Sequence, residues 1–493
     1  MMEAMQFTNH SMLTDYYEIT MSNGYFKHGM KDTIAVFDMF FRNVPEDGGY
    51  AIMAGVEQMV NYLEHLRFTE DDVAYLRGLG VFDEAFLDYL KRFKFECDVW
   101  SVPEGLPIFP NEPIVKVKGP IIQAQLIETM ILLTINHQSL IATKSSRIVR
   151  SAEGRTVMEF GARRAQGTWA SVLGARAAYI GGVAGTSCTL SGELFNIPVL
   201  GTMAHSWVQA FPSEFEAFKA YALAYPDDCQ LLVDTYNTLK SGVPNAIRVA
   251  REVLEPVGKR LKAIRIDSGD LAYLTMTARK MLDEAGLEDC TITISNALDE
   301  YLIRDLAHQG ACFNSLGVGE RLITSRAEPV FSGVYKMSMI EREGVQEPRM
   351  KISDNPGKMT NPGEKNLFRL YNRETGQVEA DLITLADETI DDTKPLTIFD
   401  PLHSWKRKTL YSFRAVPLLK PIFVKGVRCH KPRDIEEIRS FCKKEMATLW
   451  PSLLRFENPQ TYYVDLSDKL WALRQSFLDN ASHGIFEPKA ISE

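Results

Sequence analysis

From about residue 156 the chain repeats one rhythm: a short apolar run, a polar or glycine-containing turn, then a stretch with apolar residues three and four apart. TVMEFGARR, AYIGGVAGTS, NIPVLGTMAHSW, QLLVDTYNT, KAIRIDSGD, TITISNALDE and ACFNSLGVGE each supply the run and the turn. Short apolar runs between turns read as buried strands, and the 3.6-residue spacing reads as helix. After Ser268-Gly269-Asp270, residues Leu271, Leu274, Ala278, Met281 and Leu282 share one face; after Asn296, Leu298, Leu302 and Leu306 do so until Gly310 stops the helix. Serial β-α units predict a parallel sheet. Polar turns cluster at the carboxyl ends of six or seven successive strands. An irregular or closed β/α barrel accounts for that better than an open sheet, whose ligand crevice draws on fewer strands.

The flanks follow other patterns. The first hundred residues mix helix-like TDYYEITMSNGYFKHG with strand-like TIAVFDMFFR, and VPEGLPIFPNEPIVKVKGP reads as turns around short strands. From about 121, apolar residues at helical spacing continue through IIQAQLIETMILLTINHQSLIATKSSRIVRSA, as in a long buried helix. FRLYNRETGQVEADLITL predicts a hairpin turning at Asn372 to Gly376, and Ile435, Ile438, Cys442 and Met446 mark a helix within 432–450. The expected organisation is α/β: a mixed α+β N-terminal domain over 1–120, joined by strands from about 331–400, a β/α-barrel catalytic domain over 121–330, and a mostly helical C-terminal region over 401–493.

Composition narrows the function. The chain has 493 residues, 45% apolar and 24% charged, enough for a large core in two or three domains. A net charge of -9 argues against a nucleic-acid binder, which usually presents a basic stripe, so an anionic ligand must be met by a few local arginines. The N-terminus lacks a basic segment leading into an apolar core, and Gln123, Gln125 and Glu128 interrupt the apolar stretch 121–135. Seven cysteines without CxxC spacing suit a reducing compartment, so a cytoplasmic protein without membrane association is expected. Cys429-His430 with Cys442 is a thin case for metal, since zinc normally needs four ligands in paired spacings.

A barrel puts its reactive groups where strands end. Those positions hold Arg163 and Arg164, His205, Asp234, Arg265 and Asp267, Ser295 and Asn296, and Gly317 and Gly319. Together they suit phosphate: glycine turns free backbone N–H groups, and arginine offers a planar fork to an oxyanion. Singly each has a plainer reading. GxG is usually a tight turn, and DSGD is most often a helix cap made by Ser268 or Asp270. His205 is either a half-buried histidine bonded to a carbonyl or a nucleophile. Neighbouring strands lie ~5 Å apart, so Asp234 can reach His205 Nδ1–H and free Nε2 for attack, or it caps the following helix.

The segments LTDYYEIT (13–20), EFGARRAQG (159–167), GGVAGTS (181–187), GTMAHSW (201–207), RIDSGDL (265–271), ISNALDE (294–300) and GVGERLIT (317–324) resemble the nicotinate phosphoribosyltransferase family, in order and as far as KISDNPGKMTNPGEKNLFR near 370. The resemblance implies a type II phosphoribosyltransferase fold, usually a homodimer. It also implies the reaction: nicotinate and 5-phosphoribosyl-1-pyrophosphate give nicotinate mononucleotide and pyrophosphate, with ATP as co-substrate hydrolysed through a phosphohistidine at His205. It implies that Tyr17 and Phe160 sandwich the pyridine ring, that Thr202 reaches nicotinate, and that Arg163 and Arg265 bind phosphoribosyl pyrophosphate. Asp267 then orients the ribose or the Mg²⁺ on the diphosphate, and the 5-phosphate sits on the Ser295-Asn296 turn and the Gly317 to Gly319 loop. Nicotinamide-specific relatives are expected to carry an acid near GGVAG, and Tyr179 to Ser187 contains none, which favours nicotinate. Where the family often has GVGT, this chain has Glu320, an unhelpful carboxylate unless it turns away or meets a metal.

Three rivals remain. Nicotinamide or quinolinate could replace nicotinate, though quinolinate's two carboxylates call for more basic residues. A sugar-phosphate lyase or isomerase would use His205 and Asp234 as an acid/base pair, and would be marked by a Schiff-base lysine, for which Lys336 is the candidate. A non-catalytic nucleotide-binding regulator would keep the loops without turnover.

Overall fold

A computed structural model describes residues 10–485. The chain divides into two compact units, residues 1–140 with 330–493 and residues 141–329. The boundary falls inside the helix Glu128–Ser151, not at residue 121, because that helix runs on past the last N-terminal strand. The long helix expected from 121 is broken: Ile121–Gln125 forms a short helix before Glu128–Ser151 begins.

The second unit is built on the β-α rhythm. Its sheet runs in the spatial order Gly185–Thr186, Thr156–Glu159, Ser315–Val318, Thr291–Ser295, Ala263–Ile266, Gln230–Leu232, and every pair is parallel. A parallel bridge between Thr186 and Val199 carries the segment that leads to His205. Leu231, Ile264, Ile266, Ile292, Ile294 and Leu316 are wholly buried, as expected of a parallel sheet shielded from water on both faces. The helix Leu271–Glu284 is capped by Asp270, whose side chain accepts from Tyr273 N–H at 3.1 Å. Glu300–His308 is capped by Asp299 and ends before Gly310, which takes a left-handed φ of 81°. Glu300 itself is buried and accepts from Lys144 at 2.9 Å and Arg147 at 2.6 Å, tying this helix to Glu128–Ser151.

The first unit is largely antiparallel. Seven strands run in the order Val345–Pro348, Gly333–Arg342, Ile34–Phe41, Val115–Pro120, Asp98–Ser101, Lys420–Val424, Val427–Arg428. A four-stranded sheet joins Phe413–Pro417, Lys365–Asn372, Val378–Leu385 and Val464–Leu466. The expected hairpin is its centre, turning through Gly376 at φ 70°. The region beyond 400 is not mostly helical: it adds five strands to the helices Ile435–Met446 and Asp468–Ser482, because its short runs pair with sheet edges made earlier in the chain. Arg369 and Asp381, fully buried cross-strand partners within the hairpin, pair at 2.7 Å, with Tyr462 donating to Asp381 at 2.9 Å. Among the described residues no helix is long and apolar enough to cross a membrane.

Candidate active site

Parallel strands deliver their carboxyl ends to one edge of the sheet, and strand order decides which ends meet. Ala263–Ile266 lies between Gln230–Leu232 and Thr291–Ser295, so Arg265 and Asp267 sit between Asp234 and Ser295. Arg265 is the hub. Its Nε donates to Ser295 Oγ at 3.0 Å and its Nη1 to Thr202 Oγ1 at 2.8 Å and Met203 O at 3.4 Å. Its Nη2 lies 3.4 Å from Asp267 Oδ2, and its guanidinium carbon is 5.7 Å from the Phe160 ring centre. Asp267 Oδ1 in turn accepts from Ser295 Oγ at 2.5 Å.

Phe160 is seated by glycine. A Cβ on Gly317 would lie 2.3 Å from Phe160 Cδ2, so only glycine lets the ring rest against that strand. The preceding residue, Glu159, is buried and accepts from Thr186 Oγ1 at 2.6 Å and from Gly161 N–H. Burial raises the Glu159 pKa, and those two donors oppose the shift. Past Ser295 the chain turns through Asn296 at φ 95° and Ala297 at φ 46°, left-handed conformations that a non-glycine residue takes at a cost.

His205 opens the helix His205–Gln209 with its side chain 41% exposed, within reach of a ligand. The hydrogen bond expected between Asp234 and His205 is not formed. Nδ1 lies 3.1 Å from Thr235 Oγ1, and Nε2 faces Asp267 Oδ2 at 3.8 Å, beyond hydrogen-bond reach. Asp234 instead accepts from Asp267 N–H at 3.1 Å and Ser268 Oγ at 2.5 Å, clamping the turn of the adjacent strand. Ser268 is therefore no helix cap, and Asp234 Oδ1 is left buried without a partner. The strands of Asp234 and Asp267 are direct neighbours, whereas His205 arrives on a loop outside the sheet. Sequence adjacency of strand ends was a poor guide for that reason.

The remaining candidates are placed as follows. Arg163 and Arg164 are exposed in the turn Ala162–Arg164 and form no ion pair among the described residues, leaving both forks open to an anion. Gly317 pairs in register with Ser295, and Gly319 follows at the start of the next turn. Glu320 turns to Arg326, 3.1 Å away, so its carboxylate has a cationic partner beside the glycine loop. Tyr17 belongs to the other unit, exposed on Tyr16–Lys27; burial, then the nearby acids led by Glu128, raises its pKa. Lys336 lies within strand Gly333–Arg342 and bonds Glu128 at 3.4 Å and Tyr335 O at 2.6 Å, so it is no strand-end Schiff-base lysine. No group of three or more His, Cys, Asp or Glu side chains among the described residues could hold a metal ion. Sequence reasoning missed Thr235 and Glu159. Thr235 was legible only as the neighbour of Asp234, and Glu159 only as an acid in an apolar strand.

Comparison with known proteins places the chain in a family. Residues 12–136 match the nicotinate phosphoribosyltransferase N-terminal domain model, 156–378 the family model and 364–474 the C-terminal domain model. The chain is 44% identical over 464 residues to nicotinate phosphoribosyltransferase of Bacillus subtilis, covering 94% of both. It is 32% identical over 523 residues to the Homo sapiens protein of that name, covering 94% of this chain and 96% of the other. The crystal structure of human nicotinic acid phosphoribosyltransferase superposes with a TM-score of 0.84 at 30% identity, over 94% of this chain and 100% of that one.

Proposed function

From the premise that this chain belongs to the nicotinate phosphoribosyltransferase family, we propose that it forms nicotinate mononucleotide and pyrophosphate from nicotinate and 5-phosphoribosyl-1-pyrophosphate, coupled to ATP hydrolysis through His205. The observation that carries this reading is Arg265: one guanidinium joins Thr202, Ser295 and Asp267 beside the Phe160 ring, with His205 facing the same carboxylate.

The chemistry needs little proton transfer. The pyridine nitrogen attacks ribose C1, the C1–O bond to pyrophosphate breaks, and the departing charge falls to Arg265 and the unpaired Arg163. Phe160 offers its face to the pyridine ring. Thr202 reaches the nicotinate carboxylate, and the Ser295-Asn296 turn with the Gly317 to Gly319 loop takes the 5-phosphate. Asp267 has a carboxylate oxygen without a hydrogen bond, which suits a Mg²⁺ carried in on the diphosphate, or the ribose hydroxyls. In the coupling step an imidazole nitrogen of His205 bonds the γ-phosphorus of ATP as the bond to ADP breaks, and water later takes the phosphoryl group. Thr235 on Nδ1 holds the ring for this transfer, the task expected of Asp234.

A closed, irregular β/α barrel, a homodimer and a cytoplasmic setting belong to the same reading. Seven free cysteines support the last. Pyrophosphate release with nicotinate, nicotinamide or quinolinate, with and without ATP, tests the assignment. Turnover of nicotinamide in preference to nicotinate refutes it. His205→Ala should abolish ATP stimulation while sparing a slow ATP-independent reaction, and an acid-labile phosphate label that persists in that variant removes the phosphohistidine.

A further inference from the structure

The first unit holds a cavity of about 190 Å³ that shares no residue with the strand-end cluster. Its charged lining is Asp38, Lys336, Lys365 and Arg474. Both lysines already have partners within the chain. Lys365 spends its three protons on Asp38 Oδ2 at 2.8 Å, Asn361 O at 2.8 Å and Gly363 O at 2.6 Å. Lys336 holds Glu128 and its own strand.

Arg474, on the helix Asp468–Ser482, is different. It is 8% exposed, makes no ion pair among the described residues, and its buried Nε has no hydrogen-bond partner. Burial pulls its pKa down. At Arg369 burial pulls the same way, but the paired Asp381 overrides it and the pKa stands well above the ordinary value. A guanidinium is rarely buried without a counter-ion, because desolvation of the charge is then uncompensated. Asp38 Oδ1, on the same cavity, is also buried without a partner. One orphan donor and one orphan acceptor call for a ligand that accepts from the first and donates to the second. The volume matches about six waters at ~30 Å³ each, ample for a small oxyanion.

We propose that this cavity binds a small oxyanion that keeps an O–H at neutral pH, of the hydrogen phosphate or hydroxycarboxylate class, with Arg474 as its cationic ligand and Asp38 accepting a hydrogen bond from its O–H. Sulfate, which has no proton to give at pH 7, is excluded by the same acceptor.

Crystals soaked in arsenate and in selenate, the heavier counterparts of phosphate and sulfate, should show an anomalous peak beside Arg474 with arsenate only. Calorimetric titration with phosphate and with glycolate, in an Arg265→Met background that removes the barrel arginine, distinguishes the two sources. Arg474→Met, an apolar replacement that buried ion sites tolerate, should erase the arsenate peak and weaken the better ligand by about tenfold or more. As a single substitution it should leave turnover within twofold, which shows that the variant folds. No peak in the parent protein, an equal selenate peak, or unchanged binding by Arg474→Met overturns the proposal.

Discussion

Arg265→Lys keeps the charge and removes the fork, so it isolates what geometry contributes at the hub. The arginine donates through two different nitrogens, Nε to Ser295 at 3.0 Å and Nη1 to Thr202 at 2.8 Å. A lysine ammonium is a single point and cannot reproduce that planar span. Its positive charge still faces Asp267 and Phe160, so loss of one charge-assisted hydrogen bond is the minimum expected. At about 1.5–3 kcal/mol per such bond, kcat/KM should fall roughly 10- to 150-fold. The side chain is only 13% exposed, so solvent does little to screen the loss. Pyrophosphate release against phosphoribosyl pyrophosphate concentration measures it, with the melting temperature as a check on folding. Arg265→Met should fall further, since Asp267 then loses its nearest cation. A lysine variant within threefold of the parent would mean that charge alone serves, and the bridging geometry would carry no function.

Three other outcomes follow from particular contacts. Gly317→Ala places a methyl 2.3 Å from Phe160 Cδ2 and must push the ring from its seat, raising KM for nicotinate by about tenfold at an overpacking cost of roughly 1–3 kcal/mol; an unchanged KM would detach Phe160 from the pyridine. Thr235→Val removes the hydroxyl on His205 Nδ1 and should slow incorporation of acid-labile phosphate by about 2- to 10-fold, whereas Thr235→Ser restores it; equal rates in all three proteins would make the contact incidental. Burial, with Asp400 nearby, pushes the Asp465 carboxyl up to about 6. The folded chain thus holds that proton more tightly than the unfolded one, so the carboxyl costs folding nothing below pH ~4, where it is protonated in both states, and its full penalty is reached above pH ~6. Asp465→Asn should therefore stabilise the protein at pH 7 by about 1–2 kcal/mol in urea titration, with the gain fading as pH falls from ~6 to ~4. A pH-independent difference would locate the effect elsewhere.

The strand ends, helix faces and hairpin were legible because hydrophobic periodicity is local: Ile264, Ile266, Ile292 and Ile294 announce buried strands whatever surrounds them. The shared edge of Arg265, Asp267 and Ser295 was legible too, since every parallel strand delivers its carboxyl end to the same side, whereas Thr202 arrives on a loop and entered only through the family resemblance. What each end touches was not. Thr156–Glu159 pairs with Ser315–Val318, far away in the chain, and that pairing alone rests Phe160 on Gly317. Asp234 was expected on His205 and lies instead on the Asp267 turn, because a hydrogen bond depends on tenths of an ångström that strand order and loop path set together. Arg474 carries the same lesson, since nothing near residue 474 signals an unpaired cation. Its isolation exists only where a C-terminal helix closes over strands from both ends of the chain, and a buried charge takes its energy from those distant neighbours rather than from its own segment.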